Sequence, residues 1–183
     1  MEAPGFWDVP EISNKKMKEL KQIKDVVDTC NTLSTQYEDI ETLIEMAYEE
    51  EDAEMVLEIR QELDNFIETS IRAASYFKQE EKYSSYANCL IKIINGYTLK
   101  DRPEDALPYI DECKQMLGAV NANSLKDFYS AYLVFVTNYG TVREISDLII
   151  EYDNIIPDTH KDWLTLSKAY LRIDRYEDAL QAT

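Results

Sequence analysis

The sequence contains few of the residues that break helices. Its 183 residues include four Gly and five Pro, and neither type occurs between Glu11 and Asn95. Because Gly and Pro are the strongest local breakers of regular structure, we expect no flexible linker in that stretch. The sequence also has no run of eighteen apolar residues and no charged-then-apolar leader, so we expect neither a membrane span nor export. We therefore expect the chain to be cytoplasmic.

Residues that carry enzyme chemistry are also scarce. His160 is the single histidine, and its place in the turn Pro157-Asp158-Thr159-His160 favours a polar residue in the first turn of a helix over a catalytic base. A single histidine without a partner forms no triad. Cys30, Cys89 and Cys113 are widely spaced within apolar helical patterns, which favours buried reduced thiols over a disulfide or a metal site. The glycines are isolated and form no phosphate-binding loop. The sequence thus predicts a protein that is not an enzyme and uses no cofactor or metal.

The sequence is also poor in positively charged residues. The chain holds 19 Lys and Arg against 36 Asp and Glu, a net charge of −17. Residues 1–70 account for most of it, with 6 basic against 19 acidic residues, a net charge of −13. Such a surface repels phosphate groups, so we expect no direct binding of nucleic acid. Any role close to nucleic acid would require contact with a protein there.

Apolar residues with heptad spacing lie on both sides of an acidic turn. Before the turn the residues are Ile23, Val26, Cys30, Leu33, Tyr37, Ile40, Ile44 and Ala47. After the turn the same spacing continues through Val56, Ile59, Leu63 and Phe66 and ends at the polar residue Ser70. Two helices with such seams can face each other. The pattern predicts an all-α fold that begins with an antiparallel, coiled-coil-like helical hairpin over residues 1–70. Its tip would carry Glu49, Glu50, Glu51 and Asp52.

A different spacing follows residue 70. The residues Trp163, Leu166, Ser167, Tyr170, Tyr176 and Ala179 resemble the signature of the tetratricopeptide repeat, with Ser167 in place of its usual glycine. Tyr129 lies 34 residues before Trp163, one repeat length, and Pro157 falls where this repeat places the proline that closes the preceding unit. The spacing predicts a short tetratricopeptide-like stack of helices over residues 71–183. In this register Thr183 falls within a second helix, so we expect the last repeat to be incomplete.

Local signals indicate where the helices of this stack begin and end. The pairs Ser124 with Asp127 and Thr141 with Glu144 have capping-box spacing, which predicts a helix start at each pair. Gly140 is expected to end the helix between them.

Two further helices are expected in the same region. Pro103 fits the first turn of one of them, since its missing N–H is tolerated there. Residues 71–81 are expected to form another, which packs against the first pair of the stack. Alternatively, the second helix of the hairpin runs through Thr69 and Ser70 directly into this stretch.

Tyrosine is common in this second part. The residues concerned are Tyr76, Tyr83, Tyr86, Tyr97, Tyr129, Tyr132, Tyr139 and Tyr170. We expect most of them to pack between repeat helices. The remainder could line a groove for an extended peptide or a partner helix, because a tyrosine offers an apolar ring and a polar hydroxyl.

Residues 1–70 resemble the N-terminal domain of bacterial peptide chain release factor 2. The resemblance is carried by Phe6-Trp7-Asp8-Val9-Pro10-Glu11, by residues 37–47 and by the acidic turn from Glu49 to Asp52. In that family the domain is a helical hairpin that reaches the ribosomal stalk base and contributes to docking rather than to chemistry. The resemblance therefore implies that the chain is a bacterial protein with a role in translation termination. Its expected partner is the ribosome, through protein at the stalk base.

The resemblance does not extend beyond residue 70. The Ser-Pro-Phe loop with which that family reads a stop codon and the Gly-Gly-Gln loop with which it releases the peptide are both missing. We therefore expect no peptidyl-tRNA hydrolysis. The leading interpretation is a non-catalytic protein in which a ribosome-docking hairpin is joined to a repeat module that binds a protein or peptide. The alternative is an adaptor or sensor segment of a bacterial signalling protein, with the hairpin as a structural coiled coil.

Overall fold

The computed structural model describes residues 10–50, 53–152 and 160–182. Within these ranges all regular secondary structure is helical, which confirms the predicted all-α class. The eight helices are α1 (Pro10–Glu50), α2 (Ala53–Gln79), α3 (Tyr83–Leu99), α4 (Pro103–Met116), α5 (Ala122–Tyr139), α6 (Val142–Tyr152), α7 (His160–Arg172) and α8 (Tyr176–Gln181). None of these helices has both the length and the apolar character needed to cross a bilayer.

The chain divides into two compact units, Met1–Ile59 and Arg60–Thr183. In the first unit α1 runs without a break for 41 residues, in keeping with the lack of Gly and Pro. Leu33 and Ile40, two members of the predicted seam, are buried. The antiparallel pairing of α1 with α2 and a boundary near residue 70 stay predictions.

The helix expected over residues 71–81 is not separate from the helix before it. Helix α2 continues from Ala53 to Gln79, which is the continuous alternative, because no residue in this stretch interrupts the backbone hydrogen bonds. The helix ends where Glu81 adopts a left-handed conformation with φ of 54°. The amide of Lys82 then donates to the carbonyl of Phe77 over 3.0 Å, which satisfies one carbonyl of the last turn.

In the second unit the helices pack in pairs, and the pairs stack. Helix α3 contacts α4, α5 contacts α6, and α7 contacts α8. The first helices of successive pairs also touch, α3 with α5 and α5 with α7, while α4 contacts α5 and α6 contacts α7. Each pair is therefore in contact with its neighbours along the chain, which is the arrangement of a helical repeat protein.

Three of the predicted helix boundaries in this stack are confirmed. The Thr141 amide donates to the Glu144 carboxylate over 2.8 Å, and the Glu144 amide donates back to the Thr141 hydroxyl over 3.3 Å, as a capping box requires. These hydrogen bonds hold the pKa of Glu144 below its usual value. Helix α5 ends immediately before Gly140, as predicted, and α4 begins at Pro103.

The capping box predicted at Ser124 and Asp127 is wrong. Helix α5 begins at Ala122, and the side chain of Asn121 caps it by accepting a hydrogen bond from the Ser124 amide over 2.9 Å. Ser124 is buried, and its hydroxyl lies 3.4 Å from the Ser84 carbonyl of α3. An asparagine three residues upstream thus takes the cap position, and the serine contributes to helix packing instead.

Candidate binding surface

The acidic residues predicted at the hairpin tip are only partly within the described structure. Glu49 is exposed in the last turn of α1, and Glu50 is the residue at which this helix ends. Glu51 and Asp52 lie outside the described residues. A common tip surface formed by the four acidic residues therefore stays a prediction.

The predicted repeat signature lies on α7 and α8. Leu166, Tyr170 and Ala179 are buried, as expected for residues that pack the two helices together. The hydroxyl of Ser167 donates to the carbonyl of Ala179 over 3.1 Å, so this serine links the helices through a hydrogen bond. Trp163 and Tyr176, by contrast, are 41% and 60% exposed. Pro157 lies outside the described residues, and His160 is the first residue of α7.

Several tyrosines hold neighbouring helices together. The hydroxyl of Tyr139 lies 3.0 Å from both the Thr98 carbonyl and an Asp101 carboxylate oxygen, and it joins the end of α5 to the end of α3. Burial and this carboxylate together raise the pKa of Tyr139 to about 12. The ammonium group of Lys114 donates to the Tyr132 hydroxyl over 2.8 Å and lies 4.2 Å from the centre of that ring. These contacts give the tyrosines a packing role between helices.

A buried polar cluster at the junction of α5, α6 and α7 was not predicted from the sequence. Its centre is Asp162, which is 5% exposed. The Asp162 carboxylate pairs with Lys126 at 2.9 Å and accepts hydrogen bonds from the hydroxyls of Tyr152 at 3.1 Å and Ser130 at 3.4 Å. Burial raises the pKa of Tyr152 to about 12, and the negative charge of Asp162 adds to the shift. The cluster thus connects two successive helix pairs.

One sequence signal could have indicated this cluster. Asp162 lies four residues before Leu166 and seven before Ala169, on the apolar stripe of α7. A charge on an apolar stripe needs a partner when the helix packs, because burial of an unpaired charge is costly. The partner Lys126 is 36 residues away in sequence, and no local spacing relates the two positions.

Two of the three cysteines lie inside the helix stack. Cys89 and Cys113 are buried, which agrees with their predicted burial, while the Cys30 side chain lies outside the described part. Burial raises the pKa of Cys113 to about 12, so its thiolate is scarce at neutral pH. In the described ranges no group of three or more His, Cys, Asp or Glu side chains is placed to hold a metal ion.

Polar side chains with accessible positions lie on the first helices of two successive pairs. Helix α3 presents Asn88 and Asn95, seven residues apart on one face, and α5 presents Asp127 and Asn138. Helices α3 and α5 touch, and Lys92 of α3 lies close enough to Asp127 of α5 to influence the pKa of its carboxyl group. We call the surface formed by Asn88, Asn95, Asp127 and Asn138 the amide face. Burial raises the pKa of Asp127, as does the nearby Asp162, while the positive charges of Lys126 and Lys92 oppose the shift.

Comparisons of the chain with protein-family models, with curated proteins and with solved structures find no match.

Proposed function

We propose that this chain is a non-catalytic binding protein in which a tetratricopeptide-like stack binds a protein or peptide and residues 1–70 dock on the ribosome. The order of helix contacts in α3 to α8 carries the proposal. First helices of successive pairs touch one another, as in repeat proteins that bind ligands along an extended surface. The ribosomal part is supported by the resemblance of residues 1–70 to the release factor 2 domain.

The amide face suits an extended polypeptide. A peptide in extended conformation presents free N–H and C=O groups, and an asparagine side chain has two donors and an acceptor with which to meet them. Asn95 and Asn138 are accessible, and each lies on a helix that is held in place by buried neighbours. The face therefore offers fixed hydrogen-bonding groups without a catalytic constellation.

The amide face can be tested with peptides selected by display against the full chain. Replacement of Asn95 or Asn138 by alanine should weaken binding of a selected peptide by roughly tenfold, since each loss removes hydrogen bonds that orient the peptide backbone. Fluorescence anisotropy with labelled peptide measures the change. Asn65→Ala, an exposed asparagine on α2, is the matched control and should leave affinity unchanged. Equal loss in all three variants would contradict binding at this face.

Ribosome docking can be tested by cosedimentation. The full chain should pellet with ribosomes at micromolar concentration, weakly, because a helical hairpin presents a small interface. Reversal of charge at Glu49, Glu50, Glu51 and Asp52 should reduce the bound fraction severalfold, since the contact is expected to involve the acidic tip.

A second charge-reversed variant controls for net charge. Replacement of the four exposed residues Glu58, Glu68, Glu80 and Asp111 by lysine changes the net charge by the same amount. Binding that falls equally in both variants would indicate nonspecific electrostatics. No cosedimentation of the parent chain would remove the ribosomal proposal and leave the adaptor interpretation, in which the hairpin is a structural coiled coil.

A further inference from the structure

The turns that follow α3 and α7 have the same structure, and they fix how the first helices of the pairs correspond. Asp101 and Asp174 lie 73 residues apart, and both are left-handed, with φ of 55° and 61°. In each turn the next residue is an arginine whose guanidinium group lies over a tyrosine ring. The pairs are Arg102 over Tyr97 at 5.7 Å and Arg175 over Tyr170 at 4.8 Å from the ring centre. Helix α5 ends before Gly140, which lies 34 residues before Asp174. Residues of α7 therefore correspond to residues 34 positions earlier on α5 and 73 positions earlier on α3.

One side of the first helices stays open along the stack. On α5, Val134 is 37% exposed and Asn138 is exposed as well, although this helix contacts both α3 and α7. The corresponding residues of α7 are Lys168 and Arg172, and both are exposed. Asn95 of the amide face, which is partly exposed on α3, corresponds to Lys168. The open side therefore continues onto α7, where basic residues replace the amides. We call Lys168 and Arg172 the basic pair.

The basic pair has no acidic neighbour on its own helix. The positions three and four residues away from Lys168 hold Leu164, Thr165, Leu171 and Arg172. Within the described part of the chain neither member of the pair forms an ion pair, although acidic residues outnumber basic ones by 36 to 19. Like charges four positions apart on a helix repel each other, so the two side chains do not stabilise one another. A negatively charged ligand would remove this repulsion.

The geometry of the basic pair suits two carboxylates of an extended peptide. Four residues of an α-helix span about 6 Å along its axis, which separates Lys168 from Arg172 by one turn. In an extended peptide the side chains of residues i and i+2 point to the same side and start about 7 Å apart. Two acidic residues with one residue between them therefore match the pair. A nucleic acid is a poor alternative, because the net charge of −17 repels its phosphates.

We propose that the basic pair binds two acidic side chains of an extended peptide segment with the pattern acidic-x-acidic. Packed helix axes lie about 8–10 Å apart, so the Asn138 amide on neighbouring α5 is within reach of the backbone of the same peptide. The carboxylates come from side chains, so the end of the peptide is not required. This inference rests on the proposed function, since it names the class of peptide that the amide face binds.

Peptides selected by display against the full chain test the class of ligand. Selected sequences should be enriched in two acidic residues separated by one residue. Replacement of both acids by their amides should weaken binding by at least about tenfold, because charge-assisted hydrogen bonds are lost. Amidation of the peptide C-terminus should leave the affinity unchanged. Fluorescence anisotropy with labelled peptide measures each affinity.

Variants of the chain test the site. Lys168→Gln combined with Arg172→Gln should also weaken binding by at least about tenfold. Lys15→Gln combined with Lys18→Gln is the control, since both lysines are exposed on α1 and the net charge changes by the same amount. Circular dichroism verifies that both variants remain folded. Lys168→Glu combined with Arg172→Glu should bind a peptide whose two acids are replaced by lysine more tightly than the parent chain does, because opposite charges again face each other.

The outcomes separate this inference from the proposed function. Selected peptides that lose affinity in Asn95→Ala, but bind the Lys168 and Arg172 variant as tightly as the parent, would overturn the inference and leave the proposed function standing. Loss of binding on amidation of the peptide would overturn the assignment to side-chain carboxylates. A single-stranded oligonucleotide that displaces the peptide would overturn the choice of a peptide ligand. If no peptide can be selected, the inference and peptide binding by the stack fail together.

Discussion

Replacement of Asp162 by alanine is expected to lower the free energy of unfolding of the helix stack by about 3 kcal/mol. The change removes a buried carboxylate and leaves Lys126 and the buried Tyr152 hydroxyl without the partner that they have at 2.9 and 3.1 Å. This loss of stability is at the lower end of what breaking a buried ion pair costs, because the Lys126 side chain is 21% exposed and can regain some hydration. Urea unfolding followed by circular dichroism measures the loss.

Two further variants separate the buried pair from charge effects in general. Asp147→Ala removes an exposed carboxylate that lies 3.8 Å from Arg143, and it should change stability by less than about 0.5 kcal/mol. The double replacement Lys126→Met with Asp162→Leu should regain part of the lost stability, because apolar side chains of similar size can replace a buried ion pair, while the Tyr152 hydroxyl still lacks the carboxylate that it contacts at 3.1 Å. If Asp162→Ala costs no more than Asp147→Ala, the cluster does not hold the repeats together.

Replacement of Gly96 by valine is expected to destabilise the fold by about 3 kcal/mol. Gly96 lies within α3, and a Cβ atom at this position would be 2.6 Å from Cγ1 of Ile67 and 3.5 Å from a ring carbon of Phe66. Both neighbours are buried, so neither can move away without displacing others. The gain in helix propensity from replacing glycine, at most about 1 kcal/mol, is too small to compensate.

Gly118 provides the matched control, because a Cβ atom there would meet nothing within 4 Å. Gly118→Val should therefore have little effect on the midpoint of thermal unfolding. Ile67→Ala combined with Gly96→Val should cost less than the sum of the single changes, by about 1 kcal/mol, since the smaller side chain frees the space that valine needs. Strict additivity of the two changes would show that the Ile67 contact is not the cause of the destabilisation.

The features that the sequence determined are local. The uninterrupted α1, the start of α4 at Pro103, the end of α5 at Gly140 and the capping box of Thr141 with Glu144 were all predicted, and the structure contains them. Each depends on residues within about one helical turn, where backbone geometry and hydrogen bonding are set by the identity of the neighbouring residues. The all-α class follows from the same signals repeated along the chain.

The features that only the tertiary structure decided involve residues far apart in sequence. Ser124 has the spacing of a helix cap, but contact with Ser84 of α3 buries it inside α5. The partners of Asp162 lie on α5 and α6. Ile67 of α2 leaves no room for a side chain at Gly96. Periodicity tells which side of a helix is apolar, but the residue that faces a given position depends on how far the helices slide and rotate against each other. That choice is made by packing of the whole stack, and no local spacing records it.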